Sequence, residues 1–319
     1  MQNLENLCGL FLVDKSPNVT SHKVVSVLRK TLKIDKIGHL GTLDPFATGL
    51  LPVLIGGATK LSDEIMDGKK QYLFTVTFGS ETDTLDNSGR VLKTKNVPAD
   101  FVTKAEEIIS SFLGVIEQVP PVYSALKMNG KPLYEYMRSL GKLPEDIETK
   151  KRNVFIEKLE ILSSDLETQS MTFRVLCGKG TYVRSLARDI ALAIDTVGHC
   201  SQLRREFVEP WSVNDALLFT DEKILNPNYI KSKIISVEEM LPHIPVIVVD
   251  SEFQKFFNSG NVMYVSKNQI LSSFDFYEIS LERRKIFLKI KDAEGLFLAE
   301  IEFQTEIMQF KIMPKKKLI

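Results

Sequence analysis

The chain has 319 residues, of which 44% are hydrophobic and 26% are charged, and its 41 basic residues equal its 41 acidic ones. This composition is typical of a globular protein and excludes a chain that is mainly disordered, collagen-like or coiled-coil. The length favours two domains over one, and the neutral total charge by itself predicts no nucleic-acid partner.

Apolar spacing predicts helices and strands in mixed order along the chain. A first helix is predicted over residues 21–33, capped by Thr20 or Ser21, and a strand with alternating apolar residues over residues 71–78. A second helix follows over residues 101–112, then strands over residues 154–161 and 171–176, and a third helix after the turn at Gly178 and Gly180. Strict β-α-β alternation is absent, so the pattern indicates an α/β or α+β fold.

The character of the chain changes after residue 245. Proline and asparagine cluster between residues 226 and 245, and short strand-like runs dominate from residue 277 to residue 312. We therefore predict a larger domain over residues 1–246 and a small β-rich domain over residues 247–319.

Cysteine usage and hydropathy favour a cytoplasmic protein. Cys8, Cys177 and Cys200 are odd in number and form no C-x-x-C pair, which argues against a disulfide framework and a zinc site. No apolar run is long enough to span a membrane, and the N-terminus lacks the pattern of a signal peptide. No large apolar repeat marks an interface, so the default expectation is a monomer with no obligate protein partner.

Positive charge is concentrated in two stretches of the chain. Residues 22–60 and residues 174–205 each contain six lysines or arginines and two acidic residues. Such stretches form either a surface for phosphates or an ordinary solvated face, and charge alone leaves both interpretations open.

The most unusual segment is residues 38–53, GHLGTLDPFATGLLPV. Its three glycines and two prolines predict an irregular backbone whose shape is fixed by turns. Asp44 precedes Pro45, which keeps Asp44 extended and outside a helix. On pattern alone, a surface loop with an Asx-turn at Asp44 is the simpler interpretation.

This segment closely resembles the signature loop of the bacterial tRNA pseudouridine synthase B (TruB) family, which isomerises the uridine at position 55 in the T-arm of tRNA. Other segments resemble further blocks of that family in the same order, so that the resemblance covers roughly residues 9–210: 12–15 with 20–21, 69–86, 119–134, 177–186 and 203–205. The C-terminal residues resemble the family's small PUA-like RNA-binding domain only in position, size and β character.

The resemblance implies a fold and a set of site residues. The implied fold is α+β, with a mixed, largely antiparallel sheet flanked by helices and the small PUA-like domain. Asp44 matches the catalytic aspartate, Tyr72 the tyrosine that stacks on the target base, and Arg184 the arginine that pairs with the aspartate. Contacts to RNA are assigned to His39, Lys15, Asp86, Lys127, Tyr182 and Leu203.

Each assigned residue also has a plain structural interpretation. Tyr72 lies on the apolar side of its strand and suits a core position, and His39 suits a loop hydrogen bond or a wedge that fills the vacated stack. Asp86 either joins the network of Asp44 and Arg184 or makes the turn after its strand. All these alternatives are open at the level of sequence.

The reaction implied by the resemblance needs neither a cofactor nor a metal, because breaking the C–N bond and forming a C–C bond changes no oxidation state overall. The four histidines are not spaced as metal ligands, and no nucleotide-binding glycine motif is present. An ionised aspartate could act at C1′ of the ribose, at C6 of the uracil or through a glycal, and the sequence does not separate these routes.

Two other functional classes compete with this prediction. One is an RNA-binding or RNA-folding protein without catalysis, although binding alone does not require Asp44, Tyr72 and Arg184 together. The other is a metal-dependent hydrolase that uses Asp83 and Asp86, which makes a weak site without further ligands. The favoured partner is therefore tRNA, bound through its T-arm.

Overall fold

The computed structural model describes residues 7–124, 126–128, 130–140, 150–253, 255–256, 259, 261–271, 284–291 and 295–318. In chain order its helices are α1 (Ser21–Leu32), α2 (Ser62–Ile65), α3 (Phe101–Ile108), α4 (Leu133–Leu140), α5 (Val183–Ala193), α6 (Pro227–Ser232) and α7 (Val237–Met240).

The described residues form nineteen strands. The N-terminal ones are β1 (Gly9–Lys15), β2 (Ile37–His39), β3 (Thr48–Ile55), β4 (Lys70–Phe78), β5 (Ser80–Thr82), β6 (Val91–Thr94), β7 (Gly114–Gln118), β8 (Lys127–Met128) and β9 (Lys131–Pro132). The remaining ones are β10 (Arg152–Asp165), β11 (Ser170–Cys177), β12 (Gly198–Val208), β13 (Trp211–Ser212), β14 (Leu217–Leu218), β15 (Val246–Val249), β16 (Met263–Val265), β17 (Arg284–Ile290), β18 (Leu296–Gln304) and β19 (Gln309–Lys317).

The predicted elements are confirmed to within a few residues. Helix α1 begins after Thr20, whose hydroxyl accepts a hydrogen bond from the Lys23 amide at 3.1 Å, and it ends at Lys33, which takes a left-handed conformation. The helix predicted over residues 101–112 is α3 continued by the 3₁₀ turn Ile109–Phe112. Strand β10 is longer than predicted because it continues, largely exposed, to Asp165.

A ten-stranded sheet forms the centre of the molecule. Its strand order is β14-β1-β3-β12-β4-β11-β10-β7, with β2 paired to β3 and β13 paired to β12. The β1–β14 and β3–β12 pairs are parallel and the others are antiparallel. The expectation of a mixed, largely antiparallel sheet flanked by helices is therefore confirmed.

The second half of the 38–53 segment is not irregular, as the sequence predicted, but forms strand β3. Leu51 and Val53 belong to the apolar core of the helical side of the sheet, whereas Leu50 and Leu54 belong to a core on the opposite side. A strand that is buried on both faces has a continuous apolar run and not the alternation used to recognise strands. That run, interrupted by Pro52, hid the strand from pattern reasoning.

The helices α1 and α5 cover one face of the sheet through Leu28, Leu186 and Ile190, which share a core with Phe74 and Phe173. Burying these side chains supplies the main favourable free energy of this layer. The strands β4 and β12 lie at the middle of the sheet, and the site described below is built where their ends meet the 40–47 loop.

A second, five-stranded sheet follows in the order β15-β17-β18-β19-β16. Its Phe287, Leu296 and Leu298 share an apolar core with Leu10 and other residues of the first sheet. The boundary predicted at residue 247 stays a prediction. No helix among the described residues combines the length and the apolar character needed to cross a membrane.

Candidate active site

The loop of residues 40–47 places Asp44 at the mouth of a cavity. The Ala47 amide donates to the Asp44 carbonyl at 3.1 Å, so Asp44 to Ala47 form a tight turn with proline at its second position. The Ser21 hydroxyl at the start of α1 bonds both the amide and the carbonyl of Leu43, at 3.0 and 3.1 Å. The backbone on both sides of the Asp44 side chain is thereby fixed before any ligand binds.

Arg184, from the first turn of α5, holds the Asp44 carboxylate through two parallel contacts. Its Nε lies 2.9 Å from Oδ2 and its Nη2 lies 3.1 Å from Oδ1. Because the guanidinium is planar, this geometry fixes the plane of the carboxylate as well as its position. The carboxylate therefore pairs with the Arg184 guanidinium and does not form the Asx-turn that the sequence pattern allowed.

The remaining donors of Arg184 are also engaged, so the arginine itself cannot turn. Nη1 donates to the Thr84 carbonyl at 2.5 Å, and Nη2 donates to the Tyr123 carbonyl at 2.9 Å. Nη1 also lies 3.5 Å from Oδ2 of Asp86. Only 4% of the Arg184 side chain is exposed, whereas 33% of the Asp44 side chain is, so water reaches the carboxylate and not its partner.

Asp86 satisfies both interpretations left open by the sequence. Its Oδ1 accepts from the Thr84 hydroxyl at 2.7 Å and from the Ser88 amide at 2.9 Å, which makes the turn, and its Oδ2 faces Arg184. At 4% exposure it lies behind Arg184, away from any surface for RNA. The contact of Asp86 with RNA stays a prediction; in this structure its carboxylate helps to position Arg184.

Lys15 also differs from its predicted setting. Its Nζ donates to three backbone carbonyls, those of Ser16, Val19 and Pro45, at 3.0, 2.7 and 3.1 Å, and the residue is fully buried. The contact of Lys15 with RNA stays a prediction, and this burial does not favour it. Lys15 ties the Asp44 turn to the end of β1 and adds positive charge beside the carboxylate.

Burial raises the pKa of the Asp44 carboxyl above its ordinary value, and the negative charge of Asp86 raises it further. The positive charges of Arg184 and Lys15 act in the opposite direction and lower this pKa. Burial also lowers the pKa of Lys15 to about 8, although the nearby Asp44 charge opposes this. The arrangement presents a carboxylate that is held rigidly and is partly shielded from water, and neighbouring cations favour its ionised form.

Tyr72 and Arg205 form a directly opposed pair on β4 and β12. Both are buried and both line the cavity next to Asp44. Burial raises the pKa of the Tyr72 phenol, and the Arg205 charge opposes this rise. The phenol is protonated at neutral pH, so its ring suits stacking on a base better than its oxygen suits proton removal.

Arg205 was not among the predicted site residues, yet it closes the base of the loop. Its Nε donates to the Leu50 carbonyl at 2.7 Å and its Nη2 to the Gly41 carbonyl at 3.0 Å, one on each side of Asp44. A Cβ at Gly49, where φ is +103°, would lie 2.2 Å from the Arg205 carbonyl oxygen. Arg205 was missed because its role depends on contacts with Gly41 and Gly49, which are far from it in the sequence. Only the fold brings these residues together.

The cavity that these groups enclose has a volume of about 310 Å³. Asp44, Tyr72 and Arg184 line it, as predicted, together with Tyr182 and Leu203. A cavity of this size accommodates one nucleoside, with an aromatic ring and an aliphatic side chain available to flank a planar base. The roles assigned to these five residues stay predictions, and the structure brings their side chains to one place.

His39 is not among the described residues that line this cavity. His39 is partly buried on β2, its Nδ1 has no hydrogen-bond partner in the described part of the chain, and burial lowers its pKa. The Lys127 side chain lies outside the described residues, so its predicted contact is not placed. Asp83, the other half of the candidate metal pair, accepts from the Arg90 amide and forms an ion pair with the Arg90 side chain.

Comparison with known proteins gives a consistent result. Residues 29–183 match the family model described as TruB family pseudouridylate synthase (N terminal domain). The tRNA pseudouridine synthase B of Caldanaerobacter subterraneus subsp. tengcongensis is 36% identical over 308 residues, covering 97% of this chain and 98% of its own. That of Staphylococcus aureus (strain Newman) is 42% identical over 259 residues, covering 79% of this chain and 84% of its own.

Solved structures share the fold. A chain in the crystal structure of a Cbf5-Nop10-Gar1 complex superposes with a TM-score of 0.64 at 23% identity, covering 99% of this chain and 86% of its own. A chain in an archaeal box H/ACA sRNP Nop10-Cbf5 complex gives 0.63 at 22% identity, covering 99% of this chain and 88% of its own. At these identities the likeness concerns the fold alone.

Proposed function

The chain belongs to the TruB family of pseudouridylate synthases, and we propose that it isomerises the uridine at position 55 in the T-arm of tRNA with Asp44 as its catalytic residue. The formation of pseudouridine in tRNA follows from the family. The T-arm position and the residue assignments are the proposed part. The observation that carries them is the Asp44 carboxylate, held in two contacts by buried Arg184 at the edge of a cavity of nucleoside size.

The reaction balances without a co-reactant. The C1′–N1 bond breaks, the uracil turns within the site, and a C1′–C5 bond forms; the proton on C5 is lost and N1 gains one. Three routes fit this balance, with the aspartate acting at C1′, at C6 or through a glycal. Each of them needs an ionised, poorly hydrated carboxylate, which the cations Arg184 and Lys15 support.

The target base must leave the RNA stack before it reaches Asp44. Tyr72 and Leu203 then flank the uracil, and stacking on an aromatic ring contributes about 1–3 kcal/mol per base. His39, whose pKa is lowered by burial, is uncharged and flat, and it fills the place that the base vacates. These roles explain why a ring with an unpartnered nitrogen sits beside the loop.

Exposed lysines supply the track for the RNA backbone. Lys23, Lys30, Lys33, Lys36 and Lys60 are exposed, and none of them forms an ion pair with a carboxylate in the described part of the chain. Ammonium groups without a carboxylate partner can neutralise phosphates and release counterions, although that of Lys60 already donates to the Lys317 carbonyl. We further propose a monomeric enzyme that works in the cytoplasm, where tRNA is modified.

Tritium release from C5-labelled uridine in a T-arm stem-loop tests the function. Wild type should release tritium, and Asp44→Asn, which removes the charge and keeps the shape, should release none while it still binds the stem-loop. Asp189→Asn is a matched control, because Asp189 also pairs with an arginine on α5 but lies outside the cavity lining. Binding without release by wild type would favour the RNA-binding alternative, and normal turnover by Asp44→Asn would overturn the catalytic assignment.

A further inference from the structure

Ser124 carries a buried hydroxyl that has no hydrogen-bond partner among the described residues. The residue is 5% exposed, and its Oγ makes no hydrogen bond to any residue that the structure describes. Two other buried polar atoms share this property, His39 Nδ1 and Gln118 Nε2, but neither residue lines the catalytic cavity. Ser124 does line it.

The position of Ser124 relative to the aspartate is fixed through the backbone. The carbonyl of the preceding residue, Tyr123, accepts from the Nη2 of Arg184 that also holds Asp44. At the start of the same segment the Val119 carbonyl accepts from the Ser185 hydroxyl at 2.8 Å and from Arg188 Nη2 at 3.2 Å. Helix α5 therefore holds the 119–124 segment at both ends, and the Ser124 hydroxyl stands beside the reacting centre.

A buried hydroxyl without a partner loses its hydration and gains nothing in return. Native proteins seldom leave such a group unsatisfied unless a ligand or a water completes it. Within a cavity that receives a nucleoside, the ligand itself is the natural partner. The hydroxyl can both donate and accept, which suits a group that presents carbonyls next to an N–H.

Uracil presents such an edge, with O2, N3–H and O4 in a row. When the base turns about its N3–C6 axis, N1 and C5 exchange places and so do O2 and O4, but N3–H stays where it was. A hydroxyl that donates to one carbonyl, or accepts from N3–H, therefore meets the same chemistry before and after the turn. Cytosine lacks both the N3–H and the symmetry.

On the basis of the proposed function, we infer that Ser124 Oγ donates a hydrogen bond to a carbonyl of the imide edge of the extruded uracil and holds that edge while the glycosidic link is broken and remade. Ser124 is thus a specificity-determining residue of the site. It selects uracil by a contact that persists through the rotation.

Ser124→Ala tests this inference, with Ser185→Ala as the matched control. Ser124→Ala should leave the melting temperature unchanged or raise it, because no hydrogen bond is lost in the free enzyme, yet lower kcat/KM about 10- to 100-fold. Ser185→Ala should lower the melting temperature, because it removes the bond to the Val119 carbonyl. A Ser124→Ala enzyme with wild-type kcat/KM on uridine would overturn the inference.

Substrate analogues identify the contacted group. Stem-loops carrying 2-thiouridine, 4-thiouridine or 2′-deoxyuridine at the target are compared with uridine, and the product nucleoside is quantified after digestion. The ratio of wild-type to Ser124→Ala kcat/KM should fall towards one on at least one thio analogue and stay at its uridine value on the deoxy analogue. A ratio that falls only on 2′-deoxyuridine, or on no analogue, overturns the contact with the base. Failure of wild type on uridine itself overturns the proposed function, and the inference with it.

Discussion

Replacing Arg184 should move the pH dependence of the reaction and not merely its rate. Arg184→Met removes the two contacts to Asp44 and the single contact to Asp86. Burial already raises the pKa of Asp44, and the variant loses the largest opposing influence. The acid limb of kcat/KM should therefore shift to higher pH, and activity should recover partly as the pH rises.

The magnitude follows from the geometry. Opposite charges about 4 Å apart attract by about 4 kcal/mol at an effective dielectric constant near 20. Asp44 keeps 33% of its side-chain exposure, so water reduces this to about 2–3 kcal/mol. The variant also leaves Asp86 buried without its partner, which should lower the free energy of unfolding by about 3 kcal/mol.

The assay is tritium release between pH 5 and 9 at a temperature where all variants are folded, as checked by circular dichroism. Arg184→Lys keeps the charge but loses the paired geometry and the carbonyl anchors, so its acid limb should lie near that of wild type with a lower plateau. Arg188→Met on the same helix is the control for loss of an arginine. If Arg184→Met has the wild-type acid limb and only a lower plateau, Arg184 does not govern the ionisation of Asp44.

Three further outcomes follow from the same structure. Gly49→Ala should destabilise the fold by more than about 3 kcal/mol, because φ at Gly49 is +103° and the added Cβ would collide with backbone atoms of Arg205. In the same thermal melts Gly41→Ala should destabilise the fold less, because its Cβ would approach only the Arg205 side-chain Nη1, at 3.2 Å. Burial lowers the pKa of Lys15 to about 8, so between pH 8 and 10.5 the unfolded chain keeps a proton that the folded chain has lost. The free energy of unfolding, measured with urea, should therefore rise over this pH range, and Lys15→Met should flatten the rise. Affinity for a T-arm stem-loop should fall steeply with salt despite the neutral total charge, and Lys33→Gln with Lys36→Gln should reduce the slope; a salt-independent affinity would contradict the lysine track.

The sequence predicted most of the architecture because local signals were strong. Thr20 caps α1 as expected, and the alternation in residues 71–78 marks a strand with one buried face. Strand β3 was missed because both of its faces are buried, which removes the periodicity on which the prediction depends. The same limit would apply to any central strand covered by two layers.

The site was predictable in its identities but not in its connections. The aspartate and the arginine were recognised from motifs, and the structure places them in contact. Lys15 and Asp86 were assigned to RNA because a charged residue in a motif resembles a ligand contact. Their setting depends on residues distant in the chain, as in the ion pair of Asp86 with Arg184 and the bond of Lys15 to the Pro45 carbonyl, and no local pattern encodes such contacts.

The apolar core shared by the two sheets has a mechanical consequence. A Cβ at Gly57, just after β3, would lie 1.7 Å from the Leu318 carbonyl oxygen, and Lys60 donates to the Lys317 carbonyl at 2.6 Å. The end of the second sheet thus packs against the 3₁₀ turn Gly56–Leu61, which directly follows β3. A rod-like ligand that touched both sheets would therefore meet two surfaces at a set separation.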